Sequence, residues 1–306
     1  MTEHTPLTND VRMRGFARRD SVERAWQWLD GHAARLGSER VCLIAAHGRV
    51  LAESISATID VPAFDRSAMD GYALRGAETV GSGDYNSLCF RLLGESLPGR
   101  RFRGEVSAGT AVRIMTGAPV PAGADAVVPA EYASESSGEV EITVAVPVGK
   151  NIGRQGEDIA AGTCILNELR VLRPQDVGLL ASVGIDSVPV VRRPRVRVVV
   201  TGDELVAPGG ARGADQVYES NGSMLHGLVE RDGGVVESVL HIRDDRDAIR
   251  EAIVTPGADV MIVSGGSSVG AEDHAPGIVA EAGELAIHGI AMRPSSPAGP
   301  LATMLR

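Results

Sequence analysis

The sequence pattern changes near residue 174, and the segment from there to the end constrains the fold more than any other feature. Short apolar, β-branched runs with no room to be helices occur at 195–200, 235–242 and 259–263. Helix-like segments come after them at 221–234, 244–254 and about 272–282, and a last strand is predicted over 284–292. Strands that alternate with helices predict a doubly wound α/β domain with a mostly parallel sheet over 174–306.

The chain before residue 174 has a different pattern. A capped helix is predicted over 20–37, where apolar residues recur at helical spacing: Val22, Ala25, Trp26 and Leu29. From about 41 to 166, short apolar runs alternate with Gly/Pro turns, which predicts β-rich structure. We therefore expect an α/β multidomain protein: a discontinuous N-terminal domain (1–59 plus 147–173), a β-rich domain inserted into it (60–146), and the α/β domain (174–306).

Composition narrows the class of partner. Of the 306 residues, 43% are hydrophobic and 23% are charged, which excludes a disordered or fibrous chain. The net charge is −10 and aromatic residues make up 3%. Such a chain has no general attraction for nucleic acid or acidic membranes, and few rings on which bases could stack. An anionic ligand must be bound locally, through a metal ion, backbone amides or a few basic side chains.

The cysteines and the first residues bear on the cellular compartment. Cys42, Cys89 and Cys164 are far apart and include no CxxC pair, so neither a disulfide framework nor a zinc site is expected. The start of the chain lacks the pattern of a signal peptide, and no apolar run approaches the roughly 18 residues of a membrane span. The expected location is the cytoplasm, with no membrane partner.

Acidic residues come after three successive strands of the predicted sheet. The first strand leads into Glu204, the second into Asp244, and the third into a loop that ends at Asp273. Ligands of open parallel sheets bind beyond these strand ends, and gathered carboxylates are costly unless a cation lies among them. The oxygen ligands suit Mg²⁺. The alternative is that each acid only complements the dipole of the next helix.

The loop Ser264–Gly270 (SGGSSVG) lies between the third strand and a predicted helix. Its glycines allow the backbone to approach an anion, and successive N–H groups with a helix N-terminus can hold a phosphate. It matches neither a Walker loop nor a clean GxGxxG. An ordinary tight turn remains the alternative.

Three polar segments of the β-rich part also stand out, at 58–75, 113–121 and 151–159. The first could present Asp70 at a cleft, although Asp70-Gly71 equally fits a hairpin turn. Their chemistry alone predicts no more than loops with polar tips.

Five motifs occur in order: VPAFDRSAMDGYAL, RIMTGAPVPAGADAVVP, NIGRQGEDIAAGT, TGDEL and SGGSSVGAED. From about residue 20 to 297 the chain resembles the molybdopterin molybdenumtransferase family, MoeA in bacteria and the E domain of gephyrin. The resemblance implies a MoeA-like fold and an elongated homodimer. It also implies the last step of molybdenum cofactor biosynthesis, in which molybdate is inserted into adenylylated molybdopterin with Mg²⁺ and AMP is released. The implied partners are a molybdopterin adenylyltransferase and a molybdoenzyme or its chaperone.

The resemblance also implies the site residues. The catalytic set is Asp70, Thr116, Asp158, Glu204, Asp244 and Asp273. The first two would face molybdate and the pterin across the dimer cleft, with the third near them, and the last three would hold the metal. The implied cofactor-binding residues are Ser264, Gly265, Gly266, Ser267, Ser268, Gly270 and Arg293.

The chain departs from the family pattern after the last predicted strand. Gly289 and Ser296 stand where the family usually carries lysines, while Arg293 keeps one positive charge. Fewer charges weaken the capture of an anion. The family's LPGNP-like loop and further β-rich domain are expected to be absent, as in a truncated or divergent member. An alternative function therefore stays open, a catalytically weak protein that binds or carries molybdopterin or the finished cofactor.

Overall fold

The computed structural model describes residues 19–265, 274–287 and 289–291. The chain divides into two compact units. One is Arg40–Val190, and the other consists of the described parts of Met1–Glu39 and Val191–Arg306. The division expected from the sequence pattern, at 59/60, 146/147 and 173/174, stays a prediction.

In the described residues the helices are α1 (Val22–His32), α2 (Pro174–Ser182), α3 (Asn221–Arg231), α4 (Arg246–Val254) and α5 (Ala275–Ala282). The strands are β1 (Ser38–Cys42), β2 (Ile55–Ser56), β3 (Arg66–Ser67), β4 (Gly71–Leu74), β5 (Leu88–Ser96), β6 (Thr110–Ile114), β7 (Ala126–Pro129), β8 (Ala133–Ser136), β9 (Glu139–Ile142), β10 (Ile152–Gly153), β11 (Cys164–Leu166), β12 (Ser187–Val191), β13 (Arg195–Thr201), β14 (Leu205–Val206), β15 (Val217–Tyr218), β16 (Val235–Ile242) and β17 (Val260–Ser264).

A six-stranded sheet with the order β7-β4-β6-β5-β9-β8 dominates the unit Arg40–Val190. Strands β5 and β6 are parallel, and the other neighbours are antiparallel. Because side chains alternate along a strand, Tyr72 and Leu74 of β4 face one core with Val128 and Ile142. Ala73 of the same strand faces a second cluster, so all four residues of β4 are buried.

The sheet curls so that its two edges come close together. A 3-10 turn of three residues, Ala130–Tyr132, connects β7 at one edge directly to β8 at the other. This link spans at most about 14 Å, whereas the edges of a flat six-stranded sheet would lie about 24 Å apart. The inner face of the curl encloses the core that contains Tyr72 and Phe90.

A separate apolar cluster of the same unit joins the segments before and after this sheet. It includes Leu51, Leu166, Leu172, Leu180, Val188 and Val190. Helix α2 contributes to it, and the short pairs β2–β11 and β1–β12 lie around it. The sequence on both sides of the curled sheet therefore packs together.

The other unit contains a parallel sheet with the order β16-β13-β17. The central strand β13 is buried from its second residue onwards, as expected for a strand covered on both faces. Val196, Val198 and Val200 pack on one face with Val229 of α3. Arg197 reaches the carbonyl oxygen of Ala252 in α4 on the other face. The predicted doubly wound α/β domain with a parallel sheet is confirmed.

Two predicted elements differ from the structure. The helix predicted over 20–37 ends at His32, and Ala33 adopts extended backbone. The strand predicted over 284–292 is not formed in the described residues of that range. Gly289 has φ +96°, which interrupts extended backbone, and Ile290 makes an isolated bridge to Asp20. In the described ranges, no helix combines the length and the apolar composition needed to cross a lipid bilayer.

Candidate functional site

The three polar segments of the β-rich part converge within the unit Arg40–Val190. Strand β3 pairs with β10, which brings 66–67 against 152–153. On its other side Ser67 N–H donates to the Ala118 carbonyl at 3.0 Å, and Arg66 bridges Pro119. The three segments that chemistry alone left as separate loops therefore form one surface.

Asp70 and Thr116 are in direct contact on this surface. The backbone N–H and the hydroxyl of Thr116 donate to the same oxygen, Oδ1 of Asp70, at 2.6 and 2.7 Å. The backbone bond is the main reason that the pKa of the Asp70 carboxyl lies below its ordinary value, and the hydroxyl bond adds to it. Asp70 is thus an exposed, ionised carboxylate in a fixed orientation.

Asp158 lies on the same surface, and its side chain contacts Arg66. Nη2 of Arg66 lies 3.3 Å from Asp158 Oδ2 and 3.4 Å from Glu157 Oε1. Close by, Arg154 forms an ion pair of 2.6 Å with Asp65, whose other oxygen accepts the Gln155 N–H at 2.8 Å. That N–H is the largest cause of the lowered pKa of Asp65. Carboxylates and guanidinium groups alternate along this surface.

The second candidate group lies at the strand ends of the other unit. Asp244 accepts a hydrogen bond at 3.2 Å from the N–H of Asp203, in the loop after β13, and Glu204 is exposed in that loop. Asp273, the third predicted acid, lies outside the described residues. Within the described ranges, no group of three or more His, Cys, Asp or Glu residues is arranged to hold a metal. The Mg²⁺ site therefore stays a prediction that depends on Asp273.

The start of the predicted anion loop is held tightly against β13. Gly265 has φ +102°, and a Cβ at this position would lie 2.3 Å from the carbonyl oxygen of Thr201. Only glycine fits such an approach. Ser264 accepts a hydrogen bond from Asn221 Nδ2 at 3.0 Å. The other predicted loop residues lie outside the described residues: Gly266, Ser267, Ser268, Gly270 and Arg293.

Sequence reasoning did not select Arg66, Asn221 or Thr201. Thr201 Oγ1 is buried at the end of β13 and has no hydrogen-bond partner within the described part of the chain. The sequence pattern indicates Asn221 only as a helix-start residue. Its position at the start of α3, beside the strand end that carries Ser264, is the signal that could have identified it.

Two family models together match most of the chain. The model described as "MoeA N-terminal region (domain I and II)" matches residues 20–184. The model described as "Probable molybdopterin binding domain" matches residues 197–305. The two matched regions meet close to the boundary between the compact units at residues 190 and 191.

Curated relatives are named molybdopterin molybdenumtransferase. Molybdopterin molybdenumtransferase 2 of Mycobacterium tuberculosis is 40% identical over 234 residues, which are 76% of this chain and 58% of that protein. Molybdopterin molybdenumtransferase of Haemophilus influenzae is 35% identical over 263 residues, 85% of this chain and 64% of that one. The chain thus spans about three fifths of the length of these relatives.

A solved structure matches the fold. The molybdopterin biosynthesis MoeA protein of Pyrococcus horikoshii OT3 superposes with a TM-score of 0.79 at 31% identity. The match covers 93% of this chain and 73% of that protein. Both compact units therefore have counterparts in an experimentally determined structure.

Proposed function

Because this chain belongs to the MoeA family, we propose that it inserts molybdate into adenylylated molybdopterin and releases AMP, the last step of molybdenum cofactor biosynthesis. The contact between Asp70 and Thr116 carries this proposal. The two residues come from the two motifs most specific to the family, MDGYA and TGAPVP, and the fold joins them through one carboxylate oxygen.

The role of Asp70 is inferred from its bonding. Thr116 occupies Oδ1 with two donors, so the carboxylate stays ionised and keeps a fixed direction at ordinary pH. Molybdate loses an oxygen as water when two sulfur atoms bind the metal, and protons must move to that oxygen. The two protons come from the thiols that bind the metal, and the ionised Asp70 carboxylate would accept one from a thiol and pass it to that oxygen. Arg66 and Asp158 lie on the same surface.

The strand ends of the other unit would bind the phosphate groups. Glu204 and Asp244 are carboxylates in loops beyond parallel strands, which fits the oxygen ligands of Mg²⁺, with Asp273 as the third ligand. When bound, Mg²⁺ would neutralise charge on the phosphates as AMP leaves. Ser264 and Gly265 begin the loop that would hold the pterin phosphate.

A carrier function is the second candidate, and Gly289 favours it. This glycine stands where the family usually has a lysine, and it is buried, with a carbonyl that accepts the Asp20 N–H at 3.1 Å. Its φ of +96° makes a lysine at this position strained. The chain therefore lacks a positive charge that would attract molybdate. A protein that only binds the pterin does not need this charge.

The proposed reaction takes place in the cytoplasm and involves partner proteins. The chain acts in the cytoplasm as a homodimer, receives its substrate from a molybdopterin adenylyltransferase, and passes the cofactor to a molybdoenzyme or its chaperone. Helix α1 supports the homodimer, since Trp26 and Leu29 of its apolar stripe are 62% and 38% exposed. Molybdate and adenylylated molybdopterin are the substrates in this scheme.

The test is reconstitution of a molybdenum enzyme from adenylylated molybdopterin, Mg²⁺ and molybdate. We expect the wild-type chain to release AMP and activate the enzyme, and Asp70→Asn to lower the rate by about 10²–10⁴-fold, because a proton-transfer group is lost. Asp84→Asn, on an exposed turn, is the matched control with unchanged rate. A wild-type chain that retains the pterin without releasing AMP would instead establish the carrier function.

A further inference from the structure

Three polar side chains meet on the inner face of the curled sheet. Oη of Tyr72 donates a hydrogen bond to Glu135 Oε2 at 3.0 Å. Nε of Arg113 donates to the same oxygen at 3.1 Å, and its Nη2 contacts both oxygens of the carboxylate. We call Tyr72, Arg113 and Glu135 the clamp.

The clamp joins strands that do not all pair with each other. Tyr72 lies on β4 and Arg113 on β6, which are neighbours, whereas Glu135 lies on β8 at the edge of the sheet. Two strands, β5 and β9, separate β6 from β8 in the sheet order. The Glu135 carboxylate therefore closes the curl with side-chain hydrogen bonds, in addition to the covalent link through Ala130–Tyr132.

The clamp lies directly beside the Asp70–Thr116 contact. Tyr72 pairs with Arg113 in the antiparallel register of β4 and β6, and Gly71 pairs with Ile114. Asp70 is the residue before this second pair on one strand, and Thr116 comes two residues after it on the other. One residue separates Tyr72 from Asp70, and two residues separate Arg113 from Thr116.

The chemistry of the clamp favours fixed geometry over stability. Tyr72 is 9% exposed, and burial is the largest reason that the pKa of its phenol is raised. The Arg113 and Glu135 side chains are 40% and 26% exposed, and an ion pair this exposed contributes little to stability. A bidentate guanidinium–carboxylate contact, by contrast, sets both distance and direction.

We propose that Glu135 is a positioning residue, which fixes the ends of β4 and β6 through Tyr72 and Arg113 so that Thr116 holds Asp70 in its reactive orientation. This inference rests on the function proposed above. Glu135 lies outside the motifs that carry the family resemblance, and it acts through Asp70 without touching the substrate.

The test compares Glu135→Gln with wild type in the 306-residue chain. The Thr116 amide proton, bonded to a carboxylate, should resonate far downfield in the ¹H–¹⁵N spectrum and move upfield in the variant. In the reconstitution assay we expect kcat to fall about 10-fold with KM for molybdate unchanged, because orientation is lost and ground-state binding is kept. Tyr72→Phe, which removes one hydroxyl and keeps the ring, should change both readouts in the same direction.

Glu141→Gln is the matched control. Glu141 lies on the neighbouring strand β9 and accepts a hydrogen bond from Ser87, and the variant should leave both readouts unchanged. The positioning role is overturned if both variants fold, the Thr116 amide resonance does not shift, and kcat is unchanged in Glu135→Gln and in Tyr72→Phe. If Glu135→Gln does not fold, Tyr72→Phe decides. If the wild-type chain forms no cofactor, the proposed function fails, and the Thr116 resonance still tests the clamp.

Discussion

Single carboxylates in this protein are oriented by backbone N–H groups as well as by ion pairs. Asp70, Asp65 and Asp259 each accept a backbone N–H, and the pKa of each carboxyl is lowered. The partners come from distant segments, because Thr116 lies 46 residues after Asp70 and Arg195 lies 64 residues before Asp259. The lowered pKa values of these three carboxyls therefore depend on the tertiary structure.

Asp259 provides a pH-dependent contribution to stability. Arg192 donates to both of its oxygens at 2.8 Å and Arg195 N–H donates at 2.7 Å, and these bonds, the Arg192 side chain first, lower the pKa from 3.8 to about 2. A lowered pKa in the folded state stabilises above the unfolded value, and the contribution is lost as the pH falls from 3.8 towards 2.

We expect Asp259→Asn to reduce the free energy of unfolding by about 1–2 kcal/mol at pH 7, with the difference from wild type disappearing near pH 2. Urea unfolding at a series of pH values measures both quantities. Asp232→Asn, which removes an exposed pair with Arg231, is the control and should leave the midpoint unchanged. A difference for Asp259→Asn that stays constant with pH would contradict the assignment.

At the scale of elements, local pattern predicted most of the α/β unit. The run 195–200 has β-branched residues and is too short for a helix, and it forms β13. Asp245 caps α4 by accepting the Ala248 N–H at 2.8 Å, in line with the acidic start predicted for that helix. The pattern failed at 284–292, because the positive φ of Gly289 and the pairing of Ile290 with Asp20 depend on residues far away in the sequence.

The candidate site was predictable only in part. The strand ends with Glu204 and Asp244 were identified by the rule that ligands bind beyond parallel strands. The contact of Asp70 with Thr116, and the approach of Arg66 to Asp158, depend on pairing between segments about 50 to 90 residues apart. Residue chemistry carries no information on such pairing. The family resemblance linked Asp70, Thr116 and Asp158, and it did not include Arg66.

The turn after β17 gives a prediction for one element. Gly265→Ala would place a methyl group 2.3 Å from the Thr201 carbonyl oxygen at a φ of +102°, so the start of the loop must shift. We expect the free energy of unfolding to fall by about 2–4 kcal/mol. Thermal unfolding monitored by circular dichroism measures the change.

Gly227→Ala is the control for this variant. Gly227 lies in α3, and a Cβ there meets no atom within 4 Å. Alanine should stabilise this helix by up to about 1 kcal/mol. Equal effects of the two substitutions would show that the approach of Gly265 to Thr201 imposes no constraint.

At the scale of the whole molecule, the chain consists of two units with different architectures, and their order along the sequence is nested. The unit Arg40–Val190 is inserted between the described parts of Met1–Glu39 and Val191–Arg306. Helix α1 lies at the beginning of the sequence, yet it belongs to the same unit as the described part of Val191–Arg306. An apolar stripe at helical spacing is typical of a helix that faces a core, yet Trp26 is 62% exposed.

The exposed part of this stripe, Trp26 and Leu29, leads to a prediction about assembly. The chain has a mass of 32.0 kDa, and we expect sedimentation equilibrium to give about twice this value. Trp26→Glu should weaken the dimer by placing a charge in an apolar interface. Tyr85→Glu, at a fully exposed tip, should leave the mass unchanged. A wild-type chain that sediments as a monomer would contradict the homodimer.

The strand order of the curled sheet delays the pairing of β4 during synthesis. Strand β4 pairs with β6 and β7, whose last residue is Pro129, 55 positions after Leu74. At translation rates of about 5–20 residues per second, β4 leaves the ribosome roughly 3 to 11 s before its second partner. Its sequence, GYAL, carries no charge that would discourage pairing with another chain. On a crowded polysome, the yield of folded protein therefore depends on how β4 is protected during those seconds.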